Sequence, residues 1–438
     1  MDQTEALIIE TIDRHREEIL EFARDIYSPA ELGYKEFQTS GKFVKKMEQL
    51  GLRTEKGFAI TGVKAYLNED KKENASLALL GELDALRIPE HAFANPETNA
   101  AHCCGHHAQM AGVFGAALAL TVPEIAEKLD GQVVFFATPA EEYGEIEFKN
   151  QLREQGKIRY GGGKCELLRI GAFDDIDLCL THHIRPGNEI LVGSGTGNGF
   201  VSKVIRVLGK ASHAAGAPEK GVNALSAASL GLQALGLNRE TFRDADCVRV
   251  HPIITKGGNL VNVTPDEVVV ETLVRGKTIE AFTDAAKKTD RSFKAGAIAM
   301  GAKVEISTLP GYLPTLAEEA LPELKHAAEI SASGIPVIEA SGHAGGSTDV
   351  GDVQHLMPVY TFNTGGVKGG LHQIDFEVTN EEEAYIVTAK MFALAAYGLL
   401  KEKAQRSREL VDQYEPVFKN SAEYVEFMEQ FDSKEIFE

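Results

Sequence analysis

The stretch GQVVFFATPAEE, residues 131–142, opens on an unbroken apolar run, Val133 to Ala137, and closes on two adjacent carboxylates, Glu141 and Glu142. An apolar run of that length without alternation marks a strand buried on both faces, as in a sheet covered by helices. SLALLGELDAL (76–86) and IDLCLTHH (176–183) repeat the design, GVKAYLN (62–68) adds a further strand, and MPVYTFNT (357–364) returns to strand character late in the chain. Helical spacing fills the intervals. Leu7, Ile8, Ile12, Ile19, Leu20, Ala23 and Ile26 predict helix within 3–27, Phe37 to Leu50 a second helix closed by Gly51, and the Ala-rich segment 107–129 a third. The pattern predicts an α/β fold with helices on both faces of a mixed sheet.

From about residue 196 the rhythm changes to strand 200–208, helix 221–237, strands 247–256 and 262–275, helix 278–301 and strand 303–309. This β-α-β-β-α-β order is that of an inserted ferredoxin-like α+β domain. The expected divisions are 1–195, 196–307 and 308–438, the last holding a helix at about 380–404 and a charged helical tail, 405–438. The glycine-rich GSGTGNG (193–199) lacks dinucleotide spacing and reads as a hinge into the insert.

Composition narrows the function. Of 438 residues, 45 are Lys or Arg and 65 are Asp or Glu, for a formal net charge of −20. A polyanion without a basic stripe repels nucleic acid and anionic lipid. No uninterrupted apolar stretch has spanning length, and the N-terminus has no signal-peptide core, so a cytoplasmic protein is expected. The five cysteines are too few and scattered for a disulfide framework, which favours a thiolate ligand or nucleophile.

The chemistry-bearing residues collect at strand ends. In AHCCGHHAQM (101–110), Cys104 and His106 flank a glycine that lets the backbone bend, so thiolate and imidazole can face one centre. Glu141 and Glu142 follow a buried strand, where two carboxylates need a cation or a shared proton. His182 and His183 end IDLCLTHH, and His372 lies in GGLHQIDFEVTNEEE. Singly, each histidine reads as a hydrogen-bonded structural residue before it reads as a ligand. Together, imidazoles, a thiolate and carboxylates suffice for two divalent ions, zinc or manganese first, cobalt or nickel next.

These residues resemble the co-catalytic zinc metallopeptidases and amidohydrolases, the family of aminoacylases, carboxypeptidase G, and hippurate and auxin-conjugate hydrolases, nearest its aminobenzoyl-glutamate hydrolase-like branch. The resemblance rests on GELDAL, AHCCGHH, TPAEE, LTHHIRPG, ASHAAGAPEKGVNAL, GNLVNVTPD with Arg275, and GGSTDVGDV, in that order along nearly the whole chain. It implies a phosphorylase/hydrolase-like catalytic domain with an inserted dimerisation (lid) domain. It implies Cys104, His106, Glu142, His183 and His372 as metal ligands, Glu141 as general acid/base and Asp84 as a carboxylate orienting a ligand. His213 and Asn262 would stabilise the oxyanion, His213 reaching into the other subunit of a homodimer, and Arg275 would hold a substrate carboxylate. The implied reaction is amide hydrolysis of an N-acyl amino acid, dipeptide or aminobenzoyl-glutamate.

Two positions depart from the family pattern. His107 stands where relatives carry Asp or Asn, and Gln109 where they often carry His, so His107 is a candidate extra ligand or a pH-sensitive neighbour of the site. The segment 145–164 is long for the loop after the glutamates and is expected to cap the site or shape substrate choice. Two other readings are a hydrolase with Cys104 as nucleophile, which leaves the Glu pair and His372 without a task, and a non-catalytic metal- or peptide-binding subunit.

Overall fold

Each of the five apolar runs read from the sequence forms a strand in the computed structural model, which describes residues 1–332 and 334–438. The chain divides into two compact units. The first comprises Met1–Gly195, Leu316–Gly342 and Asp352–Ser421; the second comprises Thr196–Thr315, His343–Gly351 and Ala422–Glu438.

In the first unit the strands are β1 (Arg53–Phe58), β2 (Gly62–Leu67), β3 (Ser76–Glu82), β4 (Gln132–Thr138), β5 (Leu178–Ile184), β6 (Ile190–Val192), β11 (Val337–Glu339) and β12 (Val359–Thr364). They form an eight-stranded sheet in the order β1-β2-β4-β3-β5-β12-β6-β11. Its centre, β4-β3-β5-β12, is parallel, while β1, β2 and the β12–β6 contact are antiparallel. The sheet is therefore mixed. Alternation along β4 divides the burial: Val133, Phe135 and Ala137 join the large core that includes Phe114, while Phe136 meets the ring of Phe173 at 5.1 Å.

Helices α1 (Gln3–Arg14), α2 (Arg16–Tyr27) and α3 (Phe37–Gln49) precede the sheet, and α4 (His106–Leu120) follows β3. Every residue of α4 is buried, as expected of a helix apolar all round. It ends earlier than its composition suggests because Pro123 begins a separate turn, Pro123–Ala126. Next come α5 (Ile146–Glu154) and α6 (Gly163–Arg169), then α9 (Pro322–Ser331) and α10 (Thr388–Gln413), the last entered through a π-helical turn, Glu382–Val387. Residues Glu382–Gln413 include a window long and apolar enough to cross a membrane, and nearly all of that window is buried, as in a core helix. The run breaks at Lys401–Ala404, where Asp130 accepts the Lys403 amide at 2.6 Å and donates its own amide to Leu400.

The second unit follows the expected β-α-β-β-α-β order: β7 (Gly199–Leu208), α7 (Ala224–Leu237), β8 (Arg249–Lys256), β9 (Glu267–Gly276), α8 (Ile279–Met300) and β10 (Lys303–Pro310). The second hairpin strand starts at Glu267 rather than 262, since the NVTPD residues form the approach to it. The tail read as wholly helical is corrected more sharply. After α10 come α11 (Ser421–Glu429) and then β13 (Ser433–Phe437), which pairs antiparallel with β10. The five-stranded order is β8-β9-β7-β10-β13.

Candidate active site

The chemistry-bearing residues of the first unit sit where β3, β4 and β5 run out, the edge at which open α/β sheets place their sites. Gly105 turns the chain into α4 at φ 86°, and a Cβ there would lie 2.0 Å from the Ile184 side chain. Only glycine fits this combination of backbone angle and close approach. The turn delivers Cys104 and His106 to one side. The Cys104 Sγ lies 3.3 Å from His183 Nε2 and 3.2 Å from His372 Nε2. His372 Nε2 is also 3.2 Å from Glu142 Oε1. Its backbone, left-handed at φ 63°, is tied by its amide to the Cys103 carbonyl at 2.9 Å.

His106 donates Nδ1–H to the Asp84 carbonyl at 2.8 Å, and its Nε2 lies 3.1 Å from Glu82 Oε2 and 4.0 Å from Glu141 Oε2. His183 donates Nδ1–H to the Ile184 carbonyl at 2.7 Å, leaving Nε2 to the cluster. Asp84 accepts the amides of Glu141 and Glu142 at 3.1 and 2.9 Å. Three groupings, Cys104–His106–His183, Cys104–Glu142–His372 and His106–Glu141–Glu142, each bring their donor atoms within 4.8 Å of one another.

The donor set suits divalent cations. His106 Nε2 and Glu142 Oε1 are buried without a hydrogen-bond partner among the described residues. Two imidazole nitrogens crowd one sulfur, and electron-pair donors so arranged gain most from a shared cation. Burial, with Glu142 beside it, pushes the Cys104 thiol well above its ordinary value. Such a thiol serves poorly as a nucleophile. Burial alone would lower His106, yet Glu82 and its other anionic neighbours raise it well above the usual imidazole range.

Three further residues complete the cluster: Glu82 and Lys164, which sequence motifs did not single out, and Gln109, which stood out only as a departure from the family pattern. Burial would raise Glu82, but Lys164 and His106 hold it down to about 2. The Lys164 ammonium donates to Glu82 Oε1 at 2.5 Å, and Gln109 both donates to Oε2 at 2.7 Å and accepts the Glu82 amide at 2.9 Å. Glu82 lies two residues before Asp84 on the same strand end, so strand periodicity could have paired them. Lys164 reaches it because Gly163 of α6 abuts Pro139, where a Cβ would stand 1.6 Å from the carbonyl oxygen. The C-terminal end of the 145–164 segment thus lies under the glutamate loop.

His107 faces away from the cluster. Its Nε2 meets the Tyr385 hydroxyl at 3.2 Å and its ring packs on Tyr27 at 4.6 Å. His182 likewise turns to Thr364 at 2.8 Å. Burial holds both imidazoles well below the usual range, which suits neutral structural roles.

The remaining predicted residues belong to the second unit. His213 is exposed, forms a bridge with Val263, and accepts the Gly216 amide on Nδ1 at 3.0 Å. The Ala214 amide donates to the Asn262 carbonyl at 3.0 Å, which makes His213 and Asn262 neighbours. Arg275, on β9 opposite Phe200, has its guanidinium 5.8 Å from that ring's centre.

Comparison with known proteins follows the same lines. A profile of peptidase family M20/M25/M40 matches residues 78–397. The chain belongs to peptidase family M20/M25/M40. It is a hydrolase of the metallopeptidase and amidohydrolase kind. The Xaa-Arg dipeptidase of Mus musculus is 27% identical over 408 residues, covering 90% of this chain and 85% of that one. The N-acetyl-L-cysteine deacetylase of Bacillus subtilis (strain 168) is 24% identical over 403 residues, covering 89% and 90%. Among solved structures, a Bacillus subtilis protein described as a dinuclear metal binding peptidase from the M20 family superposes with a TM-score of 0.62 at 23% identity, covering 89% of this chain and 99% of its own. At that identity the likeness establishes the shared M20 fold.

Proposed function

We propose that this M20 protein hydrolyses the amide bond of an N-acyl amino acid, a dipeptide or an aminobenzoyl-glutamate-type substrate. The observation that carries the reading is the convergence of Cys104, His106, Glu142, His183 and His372 beside Glu141, from remote segments, with His106 Nε2 and Glu142 Oε1 buried and making no hydrogen bond among the described residues. In this reading those five residues hold two divalent cations, zinc or manganese first, cobalt or nickel next. Such cations supply Lewis acidity toward a carbonyl and toward water. Glu141 takes the proton from the attacking water and returns it to the leaving amine. Asp84 holds the backbone that carries Glu141 and the imidazole of His106. His213 and Asn262 are assigned to the developing oxyanion and Arg275 to a substrate carboxylate. A cytoplasmic homodimer joined through the inserted unit completes the reading; the outer position of β8, with Ile253 and Ile254 exposed, supports it.

The test is elemental analysis of the purified chain with a hydrolysis screen over the three substrate classes, with and without added zinc or manganese. Glu141→Gln is expected to lower turnover by roughly two to four decades with cation content unchanged. Full activity in that variant, or a wild-type chain with neither cation nor turnover, would overturn the reading.

A further inference from the structure

The loop that carries the paired glutamates is held more firmly than a strand-to-helix turn requires. Ala140 sits at φ 49°, a left-handed conformation that L side chains rarely adopt. Residues in that region persist only where surrounding contacts enforce them. Here three successive amides end on two buried carboxylates: Ala140 donates to Glu36 Oε1 at 2.8 Å, and Glu141 and Glu142 donate to Asp84. On the other side, the Ala140 carbonyl accepts the Gly163 amide at 2.9 Å.

Glu36 is wholly buried, and its second oxygen accepts the Thr61 hydroxyl at 2.7 Å. It occupies the N-cap position of α3, yet its side chain caps nothing there. Glu31 does that work instead, taking the amides of Gln38 and Thr39 at 3.1 and 2.8 Å. The Glu36 carboxylate is spent on the Ala140 amide and Thr61. Burying a carboxylate is costly, and here one oxygen serves the glutamate loop while the other is fixed by Thr61.

We propose that Glu36 is a positioning residue for Glu141: through the Ala140 amide it enforces the left-handed turn that sets the direction in which the Glu141 side chain leaves the backbone. This rests on Glu141 being the proton-transfer group. Glutamine at position 36 can do the same, its carbonyl accepting from Ala140 and its amide donating to the Thr61 hydroxyl. Alanine cannot, and aspartate withdraws the carboxylate by one methylene.

The experiment compares the full-length wild type with Glu36→Gln, Glu36→Asp and Glu36→Ala by steady-state kinetics, cation analysis and amide hydrogen exchange of segment 138–144. Misplacement of a reacting group by about 1 Å costs up to about 100-fold, so Glu36→Ala and Glu36→Asp are expected to lose roughly 10- to 100-fold in kcat with KM and cation content kept. Exchange at 138–144 should accelerate in both, and Glu36→Gln should restore kcat and protection together. Aspartate supplies the folded variant if alanine does not fold. Unchanged kcat and exchange in a folded Glu36→Asp or Glu36→Ala chain would overturn the proposal, as would a Glu36→Gln chain as slow as Glu36→Ala. A Glu141→Gln chain of full activity would instead remove the base assignment, while exchange at 138–144 would still report on the Glu36–Ala140 bond.

Discussion

The Asp84 carboxylate faces two ways: one oxygen takes the Glu142 amide at 2.9 Å, and the other lies 3.3 Å from His106 Nδ1. One side chain thereby couples the glutamate loop to the start of α4. Asp84→Asn turns an NH2 group toward one of these donors. Leaving a buried donor unsatisfied costs about 1–3 kcal/mol, and the variant should show that loss by denaturant unfolding together with weakened cation retention. Wild-type stability and cation content in Asp84→Asn would show that the coupling is unimportant.

Gly105→Ala asks for a Cβ 2.0 Å from Ile184 at a φ of 86°. The left-handed penalty alone is about 1–2 kcal/mol, and overpacking adds about 1–3 kcal/mol. The melting temperature should fall and cation binding should be lost before global unfolding. A chain that binds cations as wild type does would place the turn's importance elsewhere.

Lys164→Met leaves Glu82 buried without its cation. Breaking a buried pair from one side costs about 3–5 kcal/mol. Adding Glu82→Gln to Lys164→Met should recover much of the loss, and a double-mutant cycle measures it. Additive losses would mean that the two groups are energetically independent despite their 2.5 Å contact.

Burial, with the charge of Asp84 adding to it, pushes Glu36 up to about 7. A carboxyl whose folded value lies above its unfolded value gives stability that is complete below the ordinary carboxyl range and lost as pH rises through about 7. Glu36→Gln removes that dependence. Its melting temperature should gain on wild type between about pH 5 and pH 7.5, and a gap that stays constant over this interval would contradict the shift.

Much of this was legible in the residues because β3, β4 and β5 are buried on both faces and therefore spell continuous apolar runs, with the polar residues left for their ends. The insert's hairpin was legible in order but not in extent, since Pro265 and its neighbours only approach β9. Glu36 escaped notice because its partner is a backbone amide, which no side-chain pattern encodes. Lys164 was hidden in a segment that reads as a surface loop until Gly163 is seen against Pro139. The SKEIF strand, β13, carries mostly exposed side chains and has strand character only because β10 offers it hydrogen bonds.

That last pairing has a bearing on biogenesis. β10 emerges during translation long before β13, so in the interval its outer row of amides and carbonyls has no native partner, and exposed strand edges of this kind template association with other chains. Full closure of the insert's sheet must await Ser433–Phe437, so the open edge of β10 persists while β11 and β12 of the first unit's sheet are still being synthesised.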